Sequence, residues 1–82
     1  MFCLKEQKLK ELALRGDHLA EYHLGRYYLE ERNLIDDSIF WLLKSRYGDP
    51  RYAAVLLNKL SSKYAIKIKK LEKSLKKELV AV

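Results

Sequence analysis

Leu19-Ala20-Glu21-Tyr22-His23-Leu24-Gly25-Arg26-Tyr27-Tyr28, with Trp41 following thirteen residues later, decides how the rest of the chain is read. Ala20, Leu24, Gly25 and Tyr28 are separated by four, one and three positions, so on a helix they share one side. Two small residues lie there between two large ones. A second helix can approach closely at Gly25, which has no side chain, while Leu24 and Tyr28 grip it above and below. The stretch predicts a helix made to pack on other helices, and Trp41 belongs to its nearest neighbour.

Working outward, Leu4, Leu9, Leu12 and Ala13 make an apolar stripe on a first helix over residues 2–15. Gly16 suits the left-handed residue that ends it, and Asp17 caps the next, which runs from about residue 18 to 31. Arg32-Asn33 marks the fray. Asp36, Asp37 or Ser38 is expected to cap a third helix that carries Ile39, Trp41, Leu42, Leu43 and Ser45 as far as Tyr47. Gly48-Asp49-Pro50 is the strongest punctuation: a closing glycine, a capping aspartate and a proline where no amide hydrogen is needed. A fourth helix follows over 51–60. A lysine-rich fifth, about 63–79, places Tyr64, Ile68, Leu71, Leu75 and Leu79 on one side, and Ser61-Ser62 either breaks the two apart or sits inside one long helix. No segment has the alternation of a strand.

The chain has 82 residues, enough for one small domain, of which 49% are hydrophobic, which favours folding over disorder. A domain of this size buries only about 60–65% of its extended-chain surface, so a partner or a second copy would usefully supplement its core. The net charge of +6 is uneven. Residues 1–60 hold ten Lys/Arg against nine Asp/Glu, whereas residues 61–82 hold seven Lys against two Glu, giving +1 and +5. The single cysteine, Cys3, has no second cysteine to pair with, which fits a reducing compartment. No apolar run is long enough for a transmembrane helix and no signal-peptide core follows Met1, so a cytoplasmic location is expected and no membrane partner.

Gly16-Asp17 recurs as Gly48-Asp49, 32 residues on; the same shift takes Leu24 to Leu56 and Ala13 to Ser45. Two-helix units repeated at this length are the mark of an α-solenoid. Over residues 12–57 the chain resembles the Sel1-like repeat family, kin of the tetratricopeptide repeats. The residues that carry the likeness are Gly16, Ala20, Leu24-Gly25, Tyr28, Asp36 or Asp37, Ser38, Trp41, Lys44 and Ser45, ending at Gly48-Asp49. The departures are a shortened loop at Glu31-Arg32-Asn33-Leu34-Ile35, Leu57 where a glycine is expected, and Tyr52 where an alanine is expected. The resemblance implies an all-α fold of antiparallel helical hairpins of solenoid type, about one and a half degenerate repeats closed by a basic C-terminal capping helix. Residues 1–15 would be a half-repeat, 17–47 the Sel1-like pair, 50–60 the start of a second unit and 62–80 the cap, all in a single domain.

Chemistry is not expected of this chain. His18 and His23, five apart, do not share a helix face and make a poor metal pair. Asp36-Asp37 diverge as adjacent helical residues, Cys3 has no neighbouring base, and no phosphate loop or serine elbow is present. No enzyme activity, cofactor or metal is therefore expected. Six tyrosines remain. Tyr28, Tyr47 and Trp41 read as filling between helices, Tyr22 and Tyr52 as exposed anchors for a partner. By the resemblance, partners lie along first helices. This nominates Leu19, Tyr22, Arg26, Leu29 and Glu30, followed by Arg51, Ala54 and Asn58, for another protein or peptide, in an adaptor or scaffold that can also pair with itself. The alternative is a small basic nucleic-acid-binding regulator whose Lys67, Lys69, Lys70, Lys73, Lys76 and Lys77 would neutralise phosphates.

Overall fold

The computed structural model describes residues 4–80, and side chains over 6–77. Cys3 and the side chains of Leu4 and Leu79 lie outside them. The elements in order are α1 (Leu4–Leu14), α2 (His18–Glu30), α3 (Ile35–Gly48) and α4 (Pro50–Val80), with no strand among the described residues. The all-helical expectation holds.

The first turn is built as its residues demand. Gly16 has φ +90°, and the Gly16 and Asp17 amides donate to the carbonyls of Ala13 and Leu12, satisfying the end of α1 as a Schellman motif does. Asp17 then accepts from the amides of Leu19 at 3.0 Å and Ala20 at 3.1 Å, capping α2. Asn33, at φ +53°, supplies the second left-handed residue of the chain and lets a loop without glycine connect α2 to α3.

The start of α3 corrects the expected cap. The N-cap is Leu34, whose side chain makes no capping bond. Asp36 and Asp37 fall in the first turn, where their charge suits the positive end of the helix dipole. Ser38 faces inward: its hydroxyl donates 2.8 Å to the carbonyl of Gly25. At the next turn Asp49 accepts from the Arg51 amide at 3.2 Å and from its guanidinium at 2.8 and 3.0 Å. Those bonds hold the Asp49 carboxyl at about 2, below its ordinary value. The stabilisation it gives α4 is therefore present at neutral pH and disappears as acid titrates it through that value. The carboxyl carbon resonance of Asp49 is expected to titrate with a midpoint near 2, moving toward the ordinary aspartate value in Arg51→Ala.

Ser61-Ser62 stands where the last two predicted helices either separate or run on as one. α4 is two helical limbs that meet in a kink at Tyr64, whose φ −122° and ψ 32° are not helical. Just before the bend, the Ser61 and Ser62 hydroxyls donate to the carbonyls of Asn58 and Lys59, back-bonding of the kind that bends helices. Ala53, Leu57, Ile68 and Leu75 all join one cluster with Ile39, Leu42 and Leu43. In a straight helix Ala53 and Leu75 would lie about 33 Å apart, longer than the whole of α3 at about 21 Å. The bend brings both limbs back onto α3. Ion pairs from Lys67 to Asp36 and from Arg46 to Glu72 show the second limb advancing from the start of α3 toward its end.

Burial centres on α3. Its Ile39, Leu42 and Leu43 meet α4, while Trp41 joins Ala13, Ala20, Leu24 and Tyr28 from α1 and α2. Phe40 touches both clusters and packs edge-on to Trp41, ring centroids 5.2 Å apart. The close approach read from Gly25 is real: a Cβ there would stand 2.7 Å from Leu42 Cγ and 3.1 Å from the Ser38 carbonyl oxygen. At the far end of the hairpin Ser45 donates 2.6 Å to the His18 carbonyl, and the His18 ring covers Gly48 so closely that a Cβ would overlap it. Tyr47, expected between helices, is 56% exposed, because it sits on the side of α3 away from Ser38, Leu42 and Ser45.

Candidate functional site

Of the residues nominated on α2, Tyr22, Arg26 and Glu30 rise at intervals of four along one stripe and so face the same way. The first limb of α4 lies beside that stripe. Between them is a groove of about 240 Å³ lined by Tyr22, Arg26, Glu30, Tyr52, Val55, Leu56 and Lys59. Its floor is aromatic and apolar: Tyr22 and Tyr52 pack at 6.3 Å between ring centroids, and Leu56 is half-buried beside the main cluster. Val55 stands at the rim, 64% exposed.

Charge is arranged around this floor. Arg26 lies with Cζ 5.8 Å from the centre of the Tyr22 ring and donates 3.3 Å to Glu30. Contact with Tyr22, and after it with Glu30, holds its guanidinium above the ordinary arginine range. Lys59 adds a second cation on the opposite wall. The groove thus offers an apolar seat for one side chain, with two cations and one anion to orient what carries it. None of this forms a nucleophile–base pair, and among the described residues no group of histidine, cysteine, aspartate and glutamate is placed to hold a metal.

The other nominated residues stand apart from the groove lining. Leu19 is exposed near the start of α2 and Leu29 half-buried near its end. Arg51 is exposed and turned to Asp49, with its guanidinium 5.5 Å from the Tyr52 ring, while Asn58 is exposed on α4. Of the lysines, Lys67 is engaged with Asp36 at 2.9 Å, and Lys69, Lys70, Lys73 and Lys76 share one outer face of α4.

Sequence reasoning passed over Glu21. It is 2% exposed, fixed by His18 Nδ1 at 2.7 Å and approached by Lys44 Nζ at 3.9 Å. Lys44 also stands 5.1 Å from the centre of the Trp41 ring. A buried carboxylate needs such partners. The available signal was its register, one residue after Ala20 and four before Gly25, on the edge of the packed side. Lys44 therefore serves the α2–α3 hairpin. Comparison with known protein families, with curated proteins and with solved structures finds no match to this chain.

Proposed function

We propose that the chain is a non-enzymatic adaptor or scaffold of Sel1/tetratricopeptide type, which holds a segment of a partner protein in the groove between α2 and the first limb of α4. In this reading α1 is a half-repeat, α2 and α3 are one unit, the first limb of α4 opens a second, and the lysine-bearing limb is the basic cap. The tight α2–α3 hairpin supports it, with Gly25, Ser38, Trp41 and Ser45 used for helix packing. The observation that carries the binding reading is the Tyr22–Tyr52 pair, half-buried rather than exposed, which lines a groove with Arg26, Glu30 and Lys59 around it. Tyrosine and arginine are the residue types that concentrate binding energy at protein interfaces. The ligand that fits is a helical or extended segment with one apolar residue for the tyrosines and an acidic residue beside it.

The test uses a photo-crosslinking residue at Val55 in native cell extract, with Leu14, 69% exposed on α1, as control position. A discrete crosslinked partner is expected from Val55 and none from Leu14. Tyr22→Ala with Arg26→Ala is expected to reduce that product at least tenfold, about 1.4 kcal/mol of binding. Tyr22 also leans on the core, so the pair should lower the melting temperature, but by no more than about 4–8 °C, the equivalent of about 1 kcal/mol. Equal crosslinking from both positions, or binding untouched by the double substitution, defeats the reading.

A further inference from the structure

The second limb of α4 spends its apolar stripe inward: Ile68 and Leu75 are buried and Leu71 half-buried against α3. At about 100° per residue, Lys69, Lys70, Lys73, Lys76 and Lys77 occupy an arc of about 120° directly opposite that stripe. All five are exposed, and none has an ion-pair partner among the described residues. By contrast, Lys67 and Glu72, on the flanks of the arc, are tied to Asp36 and Arg46. Among the described residues α1 makes no close approach to α4, so the limb forms an edge of the molecule with its lysines on the outermost ridge.

We propose that this ridge is a contact surface for the phosphate backbone of B-form DNA, engaged without preference for base sequence. The argument is charge complementarity sharpened by shape. Lys69 and Lys76 lie on one flank of the ridge, and Lys70 and Lys77 about 100° around on the other. Extended side chains then put the two rows of ammonium groups roughly 12 Å apart, comparable with the width of the DNA major groove. A helix lying in that groove reaches a phosphate strand with each row. The major groove of duplex RNA is deep and narrow, and does not admit such a ridge. Single strands are held by stacking on aromatic side chains, and the ridge carries none. A bilayer would require an apolar side to insert. Here that side is covered by α3, and among the described residues Ile66, 76% exposed, is the one large apolar residue on the outer face. The ridge has no arginine and no amide side chain, and contacts that lysines make to phosphates fix position without carrying sequence information.

Anisotropy of a labelled random-sequence DNA duplex, titrated with the full chain, tests the proposal. Five neutralised phosphates give a log–log salt slope of about −4.5, so binding is expected to weaken roughly 500-fold between 50 and 200 mM salt. Lys69→Gln, Lys73→Gln and Lys76→Gln together should bring the slope to about −1.8. Glutamine is a good helix former, and unchanged far-UV circular dichroism verifies the fold. The control Lys8→Gln, Lys10→Gln, Arg15→Gln removes the same charge from α1 and the turn that follows it and should change affinity less than threefold. Any of four results overturns the proposal: no binding at 50 mM salt, equal affinity for an RNA duplex, tighter binding to phosphatidylserine vesicles than to DNA, or an equal slope change in the α1 control.

Discussion

Trp41→Ala is expected to lower the unfolding free energy by about 3–5 kcal/mol, the range for truncating a large buried aromatic. The indole is 9% exposed and belongs to one buried cluster with Ala13 of α1 and Ala20, Leu24 and Tyr28 of α2. Two of those neighbours are alanines, too short to close the space, and Phe40 would lose the edge contact that orients its ring. An 82-residue chain has a total stability of roughly 4–12 kcal/mol, so the substitution consumes a large share of it. Urea denaturation should show the midpoint falling with the slope unchanged, and the melting temperature dropping by at least about 12 °C. A loss below about 1 kcal/mol would show that the indole is not part of that buried cluster.

Gly25→Val is the second large effect, expected at about 3 kcal/mol from overpacking. The sign for the smaller Gly25→Ala is a contest: alanine gains about 1 kcal/mol of helix propensity, while overpacking costs about 1–3. The new Cβ would meet Leu42 Cγ at 2.7 Å, and Leu42 is fully buried, so it has nowhere to turn. Overpacking wins, and even alanine should destabilise slightly. Valine adds two methyl groups in the same place. Combining Gly25→Val with Leu42→Ala should recover about 1–2 kcal/mol relative to the sum of the single losses, since each relieves the other's fault. Strict additivity in that double-mutant cycle would mean that the two residues do not meet.

The helices on either side of Gly25 could be read from sequence because close packing leaves a record in residue size. Ala20, Gly25, Ser38 and Ser45 are small where two backbones touch, and the 3.6-residue period puts Leu24, Tyr28, Ile39 and Leu42 beside them. Gly16 and Asp17 are similarly legible, each suited to one position in a turn. The cap of α3 was not, because a serine near a helix start serves equally as a cap or as an interhelical donor, and the three-dimensional neighbour decides. The bend at Tyr64 left only two serines as its trace, and its direction is set by burial against α3. The groove was half visible. Tyr22, Arg26 and Glu30 share a period, but Tyr52, Val55 and Lys59 reach them through the path of the chain between α3 and α4, which no local pattern encodes.

The two serine hydroxyls on α3 and the two carbonyls they meet on α2 are spaced alike, seven residues in each helix. A single such bond would leave one helix free to pivot on the other; a pair spaced along the axis forbids both pivoting and slipping. Sliding by one turn would bring Ser38 toward Glu21 or Tyr28, whose Cβ atoms keep a neighbouring backbone at a distance that Gly25 does not. Two hydroxyls stranded in the interior cost about 1–3 kcal/mol apiece. The hairpin is thus indexed like a key in its ward, and a load applied along either rod reaches the other without play.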